Sequence, residues 1–367
     1  MHRSTTTRTR LATTTAAVAA ALLTALVPPA GATGTEPPAT RGNPTGVTQI
    51  STGWTIPWGA SWLPDRSAAL VTERDSFKVL KVTPSGGKSS AGSVPHSQTT
   101  GGEGGLMGVA VDPNWASNRY VYFLHTSTDG NRVARMTYNG STLSGYTALV
   151  SGIKKAKYHN GGALAFGPDG YLYAATGDAQ TTSLAQDRNS LNGKILRITR
   201  DGAAAPGNPF NSRVFSLGHR NPQGLAFDSR GRLWSAELGQ STADELNLIK
   251  SGHNYGWPAC EGSCGTAGMT NPKKTWGVAE ASPSGIAIVD NAVYMASLRG
   301  KRLWEIPISP DNENTGTAKA YYAGTYGRLR GVTKVPGANQ LWLSTTNTDG
   351  NGGEAAGADR ILRVTIG

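Results

Sequence analysis

His159 stands in Tyr158-His159-Asn160-Gly161-Gly162. A neutral imidazole is the side chain best matched to taking a proton from a hydroxyl near neutral pH. Asp178 follows the next apolar stretch, in Thr176-Gly177-Asp178, where its carboxylate could orient that imidazole. Gly218-His219-Arg220-Asn221-Pro222-Gln223-Gly224 gathers polar side chains around a rigid proline. Gly327-Arg328-Leu329-Arg330-Gly331 puts two guanidinium groups on one face of an extended segment. Arginine forks and amides bind carboxylates by paired hydrogen bonds, so Arg220, Arg328 and Arg330 suit a ligand with several carboxylates. Glu103 adds a carboxylate on the glycine-rich loop Gly101-Gly102-Glu103-Gly104-Gly105-Leu106. Taken singly, each stretch also reads as something plainer: a loop hydrogen-bonder, a turn capping strand ends, a solvated strand face or an ordinary glycine turn.

A second group concerns metal. Glu237 to Glu245, running on through Asn247 into Asn254-Tyr255-Gly256-Trp257-Pro258, offers carboxylates and turn carbonyls but no thiolate. Hard oxygen donors of this kind suit Ca²⁺, and the same residues also fit a polar loop with capping acids. The chain has no glycine-rich phosphate fingerprint between strand and helix, no Gly-x-Ser-x-Gly elbow and no His-Glu-x-x-His. That weighs against a Rossmann-type nucleotide cofactor, a serine hydrolase and a zinc peptidase.

These residues need elements to hold them, and one unit recurs along the chain. A glycine opens an alternating apolar stretch, an Asp/Pro/Gly turn follows, and then an aromatic-rich strand. Gly108 begins GVAVDPN before YVYFLHT, Gly162 begins GALAFGPDG before YLYAATGD, and Gly224 begins GLAFDSRG before RLWSAELG. Six such units start at Gly59, Gly108, Gly162, Gly224, Gly285 and Gly331, about 46 to 62 residues apart. The expected fold is all-β, a six-bladed β-propeller with four-stranded antiparallel blades forming one domain over 45–367. Glu103, His159, Arg220 and Arg328 each fall at the start of the innermost strand of a different blade, so they should converge over the central channel.

The composition agrees. With 48 glycines, 9 tryptophans and 12 tyrosines among 367 residues, and only 16% charged residues, the chain is too apolar for disorder and too glycine-rich for a helical bundle. Residues 1–32 read as a cleaved signal peptide: Arg3, Arg8 and Arg10 precede the apolar run Leu11 to Val27, and Ala30-Gly31-Ala32 fits the cleavage pattern. Residues 33–44 read as a flexible leader. The expectation is therefore a secreted protein without stable membrane insertion. The formal charge is +11, and removing the three arginines of the export segment leaves about +8. No Lys/Arg run marks a nucleic-acid partner. Export permits a disulfide, and Cys260-Glu261-Gly262-Ser263-Cys264 spaces its cysteines as a loop staple.

At this point the sequence resembles the soluble sugar dehydrogenases that use pyrroloquinoline quinone (PQQ), the glucose/sorbosone dehydrogenase family with its aldose sugar dehydrogenases. The resemblance runs from about Gly53 to Gly367, most specifically in GGEGGLMGVAVDPNW, HNGGALAFGPDGYLYAATGD, GHRNPQGLAFD, DELNLIKSGHNYGWP and GRLRGV. It implies a six-bladed propeller with PQQ, a tricarboxylate, and Ca²⁺ over the channel. By resemblance His159 is the base and Asp178 the acid beside it. Arg220, Asn221 and Gln223 contact the cofactor, Arg220 near its reacting carbonyl, Arg328 and Arg330 grip its carboxylates, and Glu103 lies near the site. The carbonyls of Gly239 and Gln240 match ligands of the cofactor's Ca²⁺, and Glu245 with the carbonyl of Tyr255 matches a second Ca²⁺ site. The implied reaction takes a proton from the anomeric hydroxyl of an aldose and a hydride from its carbon to the quinone. Ca²⁺ and Arg220 polarise the quinone, a lactone is formed, and an external electron acceptor reoxidises the cofactor.

The chain departs from the glucose-specific members in three places. Gln240 replaces a proline. A family lysine falls in Ser297-Leu298-Arg299-Gly300-Lys301, where Arg299 is aligned and Lys301 is near. The loops that shape the sugar pocket are short, which favours the broader aldose group. Two other functions suit the same scaffold: a non-catalytic extracellular carbohydrate-binding propeller, and a Ca²⁺-dependent lactone hydrolase with its metal on carboxylates at the channel centre.

Overall fold

Leu172–Thr176 and Leu233–Glu237 are buried along their whole length. A strand covered on both faces needs a hydrogen-bonding neighbour on each edge and a packed layer above and below. In the computed structural model, which describes residues 42–367, these are the second strands of two four-stranded antiparallel sheets. Six such sheets follow one another as the blades of a propeller, as the sixfold unit requires. The described residues hold a single α-helix, Trp115–Asn118.

The inner strands of the blades are, in order, Pro57–Trp62, Leu106–Val111, Leu164–Phe166, Pro222–Phe227, Pro283–Val289 and Leu329–Lys334. Apolar clusters fill the gaps between blades; Trp58, Met107, Tyr122, Leu124, Leu172 and Leu196 belong to one of them. The repeat predicted three strands per unit directly. The fourth, outermost strands include Lys88–Ser93, Lys274–Trp276 and Lys319–Tyr321, which are short, polar and largely exposed, so no apolar alternation marks them.

The sixth blade takes its outermost strand from the other end of the chain. Pro44–Trp54 pairs antiparallel with Asp359–Ile366, Val47 facing Val364 and Gln49 facing Leu362. The Tyr294 hydroxyl donates to the Gly42 carbonyl at 2.6 Å, and the Gly367 amide donates to that of Asn43 at 3.0 Å. Gly42 and Asn43, which the sequence assigned to the leader, are thus tied to the ring. The expected signal peptide 1–32, and the leader as far as residue 41, lie outside the described residues.

The glycine that opens each unit has a steric reason. Inner strands of adjacent blades pass so closely that a methyl group at Gly59 would sit 3.0 Å from the Met107 carbonyl oxygen. At Gly285 it would sit 2.8 Å from that of Arg330, and at Gly331 3.1 Å from that of Trp58. At Gly108 and Gly224 it would collide with the carbonyls of Gly162 and Ser284.

Gly285→Ala should therefore cost about 1–3 kcal/mol, since backbone must shift to admit the methyl. Gly46→Ala, on an exposed strand position with nothing within 4 Å of the added carbon, should cost nothing measurable. Urea unfolding of both variants checks this, and equal midpoints would remove the close-approach argument.

Candidate active site

In four blades the first residue of the inner strand is paired with the last of the second strand: Pro57 with Glu73, Pro222 with Glu237, Pro283 with Ser297 and Leu329 with Thr345; in blade two Leu106 pairs with His125, two residues before that strand's end. One face of the ring therefore collects the residues just before the inner strands and just after the second strands. The first set brings Glu103, His159, Arg220, Asn221 and Arg328. The second brings Arg74, Asp178, Gln240, Leu298 and Asp349.

His159 Nδ1 lies 2.8 Å from Asp178 Oδ1. Asp178 is fully buried, whereas the His159 side chain is 14% exposed, and its Nε2 makes no hydrogen bond and is not sealed from solvent. Nδ1 beside a carboxylate favours the tautomer with its proton there, which leaves Nε2 as the free acceptor. His159 adopts a left-handed backbone, φ 62°, and its amide donates to Glu103 Oε2 at 2.9 Å. The same oxygen accepts from Asn221 Nδ2 at 2.9 Å, and Asn221 Oδ1 accepts from the Gly161 amide at 3.0 Å. Glu103 thus ties together the loops ahead of three inner strands.

Arg220 is buried from the other side. Its amide donates to Glu237 Oε1, its Nη1 to the Leu238 carbonyl at 3.0 Å, and its Nε and Nη2 to Gln240 Oε1 at 3.1 and 2.5 Å. Burial pulls its pKa below the ordinary arginine value against the opposing charges of Asp178, Glu103, Glu237 and Glu261.

Arg328 and Arg330 converge on one carboxylate. Asp349 Oδ2 accepts from Arg328 at 2.8 and 3.0 Å and lies 3.7 Å from Arg330. Arg330 also donates to Gln223 Oε1 at 3.2 Å, and burial pushes its guanidinium down to about 10. Arg74, Lys157, Tyr158, Glu103 and Leu298 share with Arg328 and Arg330 the wall of an open cleft of about 500 Å³.

The calcium-type segment forms a second network. Asp244–Ile249 pairs with Leu233–Glu237 so that Glu245 faces Glu237 and Asn247 faces Ser235, all four on one side of the sheet. Asn247 Oδ1 and Ser235 Oγ are buried without a partner. Burial first, and the Glu237 charge second, push Glu245 up to about 8. Gly239, Gln240 and Tyr255 have carbonyls that accept no hydrogen bond among the described residues. Among the described residues no three His, Cys, Asp or Glu side chains converge as a metal cluster. Cys260 and Cys264 are disulfide-bonded, with Cα atoms 5.8 Å apart, as their spacing predicted. Inside that loop Glu261 Oε1 accepts the amides of Gln240, Ser241, Thr242 and Ala243 at 2.6 to 3.1 Å. Burial raises the Glu261 pKa, but these amides outweigh it and hold it below the usual range.

His159, Asp178, Glu103, Asn221 and Arg220 are therefore linked to one another, and Gln223 joins Arg330 in the adjoining wall. Arg299 does not join them: it is exposed beside the cleft-lining Leu298, as is Lys301. Arg74, Tyr158, Trp257, Glu261 and Asp349 were given no role by the sequence. The ends of the second strands would have pointed to Arg74 and Asp349, since Asp178 and Glu237 occupy comparable positions. Tyr158, 41% exposed, is the one exposed large hydrophobic side chain among the described residues.

Glu103→Ala should destabilise the protein by about 2 kcal/mol, because it strands the His159 amide and the Asn221 side chain. Glu103→Gln keeps an acceptor oxygen and should lose less than half of that. Urea unfolding at neutral pH separates the two, and equal losses would mean that Glu103 does not bind these loops.

The glucose/sorbosone dehydrogenase family model matches residues 54–362. Quinoprotein glucose dehydrogenase B of Acinetobacter calcoaceticus is 34% identical over 297 residues, 71% of this chain and 60% of that one. Aldose sugar dehydrogenase YliI of Escherichia coli is 29% identical over 233 residues, 59% of this chain and 62% of that one. The chain thus spans less than two thirds of the length of these relatives. The PQQ-bound aldose sugar dehydrogenase of Streptomyces coelicolor superposes with a TM-score of 0.83 at 46% identity, covering 89% of this chain and all of that one. The family match takes in all six inner strands and every residue of the cleft, and the chain belongs to the glucose/sorbosone dehydrogenase family.

Proposed function

We propose that the protein oxidises aldoses at the anomeric carbon to lactones with PQQ as its cofactor and Ca²⁺ as a bound ion. The observation that carries this reading is the His159–Asp178 pair, 2.8 Å apart, set beside a cleft whose wall holds two forked arginines. The Streptomyces relative is described in its PQQ-bound form, which supports the cofactor.

The residues present suit both groups. A tricarboxylate needs forked cationic donors, and Arg328 and Arg330 would hold it, with Gln223 and Asn221 supplying amides. Orphaned Asn247 Oδ1, with buried Glu245 and the free carbonyl of Tyr255, makes a set of hard oxygens that suits Ca²⁺. The carbonyls of Gly239 and Gln240 would face a second ion near the cofactor. When bound, PQQ supplies the two-electron acceptor that no side chain offers, and Ca²⁺ adds fixed positive charge. His159 Nε2 takes the proton of the anomeric hydroxyl, and Asp178 holds the resulting imidazolium in place. Arg220, braced by Gln240 and the Leu238 carbonyl, directs positive charge to where negative charge develops. The protein is proposed to be exported and to pass its electrons to an external acceptor.

Dye reduction by the purified chain, given an aldose panel with PQQ and Ca²⁺, tests this. Activity should require PQQ, and His159→Ala should lower kcat by about 100-fold or more. Arg330→Ala should weaken PQQ binding about tenfold, read by absorbance titration. Absence of both PQQ binding and dye reduction would overturn the reading.

Calcium has its own test. The raised pKa of Glu245 means that this group's contribution to the stability of the ion-free protein is greatest below the ordinary glutamate range. That contribution is lost as pH rises toward about 8, where the folded chain must release a proton that the unfolded chain has already lost. Ca²⁺ should cancel that loss, so the Tm gain on adding Ca²⁺ should be larger at pH 8 than at pH 5 and should vanish in Glu245→Gln. An unchanged Tm at pH 8 would remove the site.

A further inference from the structure

One side chain outside the expected set touches both halves of the candidate active site. Trp257 Nε1 donates to Asp178 Oδ2 at 2.8 Å, and the Arg220 guanidinium lies 5.5 Å from the centre of a ring of the same indole. Asp178 Oδ1 already accepts from His159 Nδ1 and from the Gln180 amide, each at 2.8 Å. With donors on Oδ1 alone, the carboxylate could swing about its terminal torsion, which is broad, and carry the imidazole with it. A donor on Oδ2 fixes the carboxylate plane at both ends. That in turn fixes the direction in which His159 Nε2 points.

The indole is itself held from behind. Its backbone amide donates to the Gly218 carbonyl at 3.0 Å, and its carbonyl accepts from Gln186 Nε2 at 2.6 Å. Gln186 and Asn254 exchange side-chain amide bonds at 3.0 and 2.7 Å. Trp257 is therefore anchored by the loop between the second and third strands of blade three and by the chain segment after blade four's third strand, Asp244–Ile249, rather than by the cleft itself.

We propose that Trp257 is a positioning residue for the proton transfer: its indole N–H locks Asp178 so that His159 Nε2 is presented to substrate, and its ring backs Arg220. This rests on the reading of His159 as the base. A hydrogen bond between a neutral donor and a buried carboxylate is worth enough that losing it should cost about tenfold or more in rate.

Trp257→Phe keeps the aromatic ring and removes the donor. In the PQQ- and Ca²⁺-loaded protein its kcat should fall about tenfold or more, while KM for the aldose and PQQ affinity move by less than about threefold. Combined with Asp178→Asn it should add little further loss, because both changes break the same lock. A second readout needs no turnover. In the apo-protein with ¹⁵N-labelled histidine, identified by comparison with His159→Gln, the downfield Nδ1–H signal of His159 should broaden or move upfield in Trp257→Phe. Should Trp257→Phe fail to fold, Gln186→Leu releases the indole from behind and should produce the same two effects at smaller size. Unchanged kcat together with an unchanged His159 signal overturns the inference. A shifted signal in a chain whose wild type oxidises no aldose would leave the lock standing and remove the proposed function instead.

Discussion

Everything at the candidate site depends on how closely the six inner strands approach one another. Where a carbonyl of one blade lies against the glycine Cα of the next, no side chain can separate them, so the ring is narrow. A narrow ring forces the loops at one end to crowd together, and crowding lets a single oxygen of Glu103 accept from His159 and from Asn221, 56 and 118 residues away in sequence. The same constraint needs closure. The ring is closed by pairing Pro44–Trp54 with Asp359–Ile366, so both ends of the described chain stabilise loops that lie between them.

Carboxylates, two buried and two half-buried, hold these loops in register. Glu103, Asp178, Glu237 and Glu261 each accept at least one backbone amide, and each also faces a side chain or loop of the candidate site. A carboxylate accepting several amides is an anchor that no neutral side chain replaces at equal strength. Glu261 is the extreme case: four successive amides point at one of its oxygens, which fixes the loop carrying Gln240 and, through Gln240, the Arg220 fork. The disulfide between Cys260 and Cys264 ties the ends of the short loop that carries Glu261.

The sequence disclosed the blades because their inner three strands alternate apolar and polar residues and repeat glycine and turn signals six times. It disclosed His159, Asp178, Arg220 and the Arg328–Arg330 pair because their motifs are dense and lie at the same point of successive units. It was silent on the outer strands, several of which are short and exposed, and on the N-terminal strand that completes blade six, since that pairing spans the entire ring. Trp257 was illegible for a related reason: it meets Asp178 of the preceding blade, and pairing across blades leaves no local periodicity to read. Asp349 follows the second strand of blade six, a place that Asp178 in blade three could have flagged. Arg299, aligned with the family lysine, stands exposed next to Leu298, which lines the cleft wall.

The central channel bears on the choice between oxidation and lactone hydrolysis. A hydrolase of this shape would hold its metal on carboxylates at the channel centre. Here the channel is lined by Trp58, Val109, Leu164, Leu225, Ile286 and Val332 with small residues between them, and its polar side chains are the neutral Gln223 and Thr333. Such a wall cannot compensate a divalent charge in a low-dielectric interior. The charged side chains stand instead at the rim, where Arg74, Lys157, Arg328 and Arg330 outnumber Asp75, Glu103 and Asp349. A rim of forked cations with a histidine beside it suits the flat polyanion of the proposed reaction. The uncharged channel below offers no competing site for the metal that hydrolysis would need.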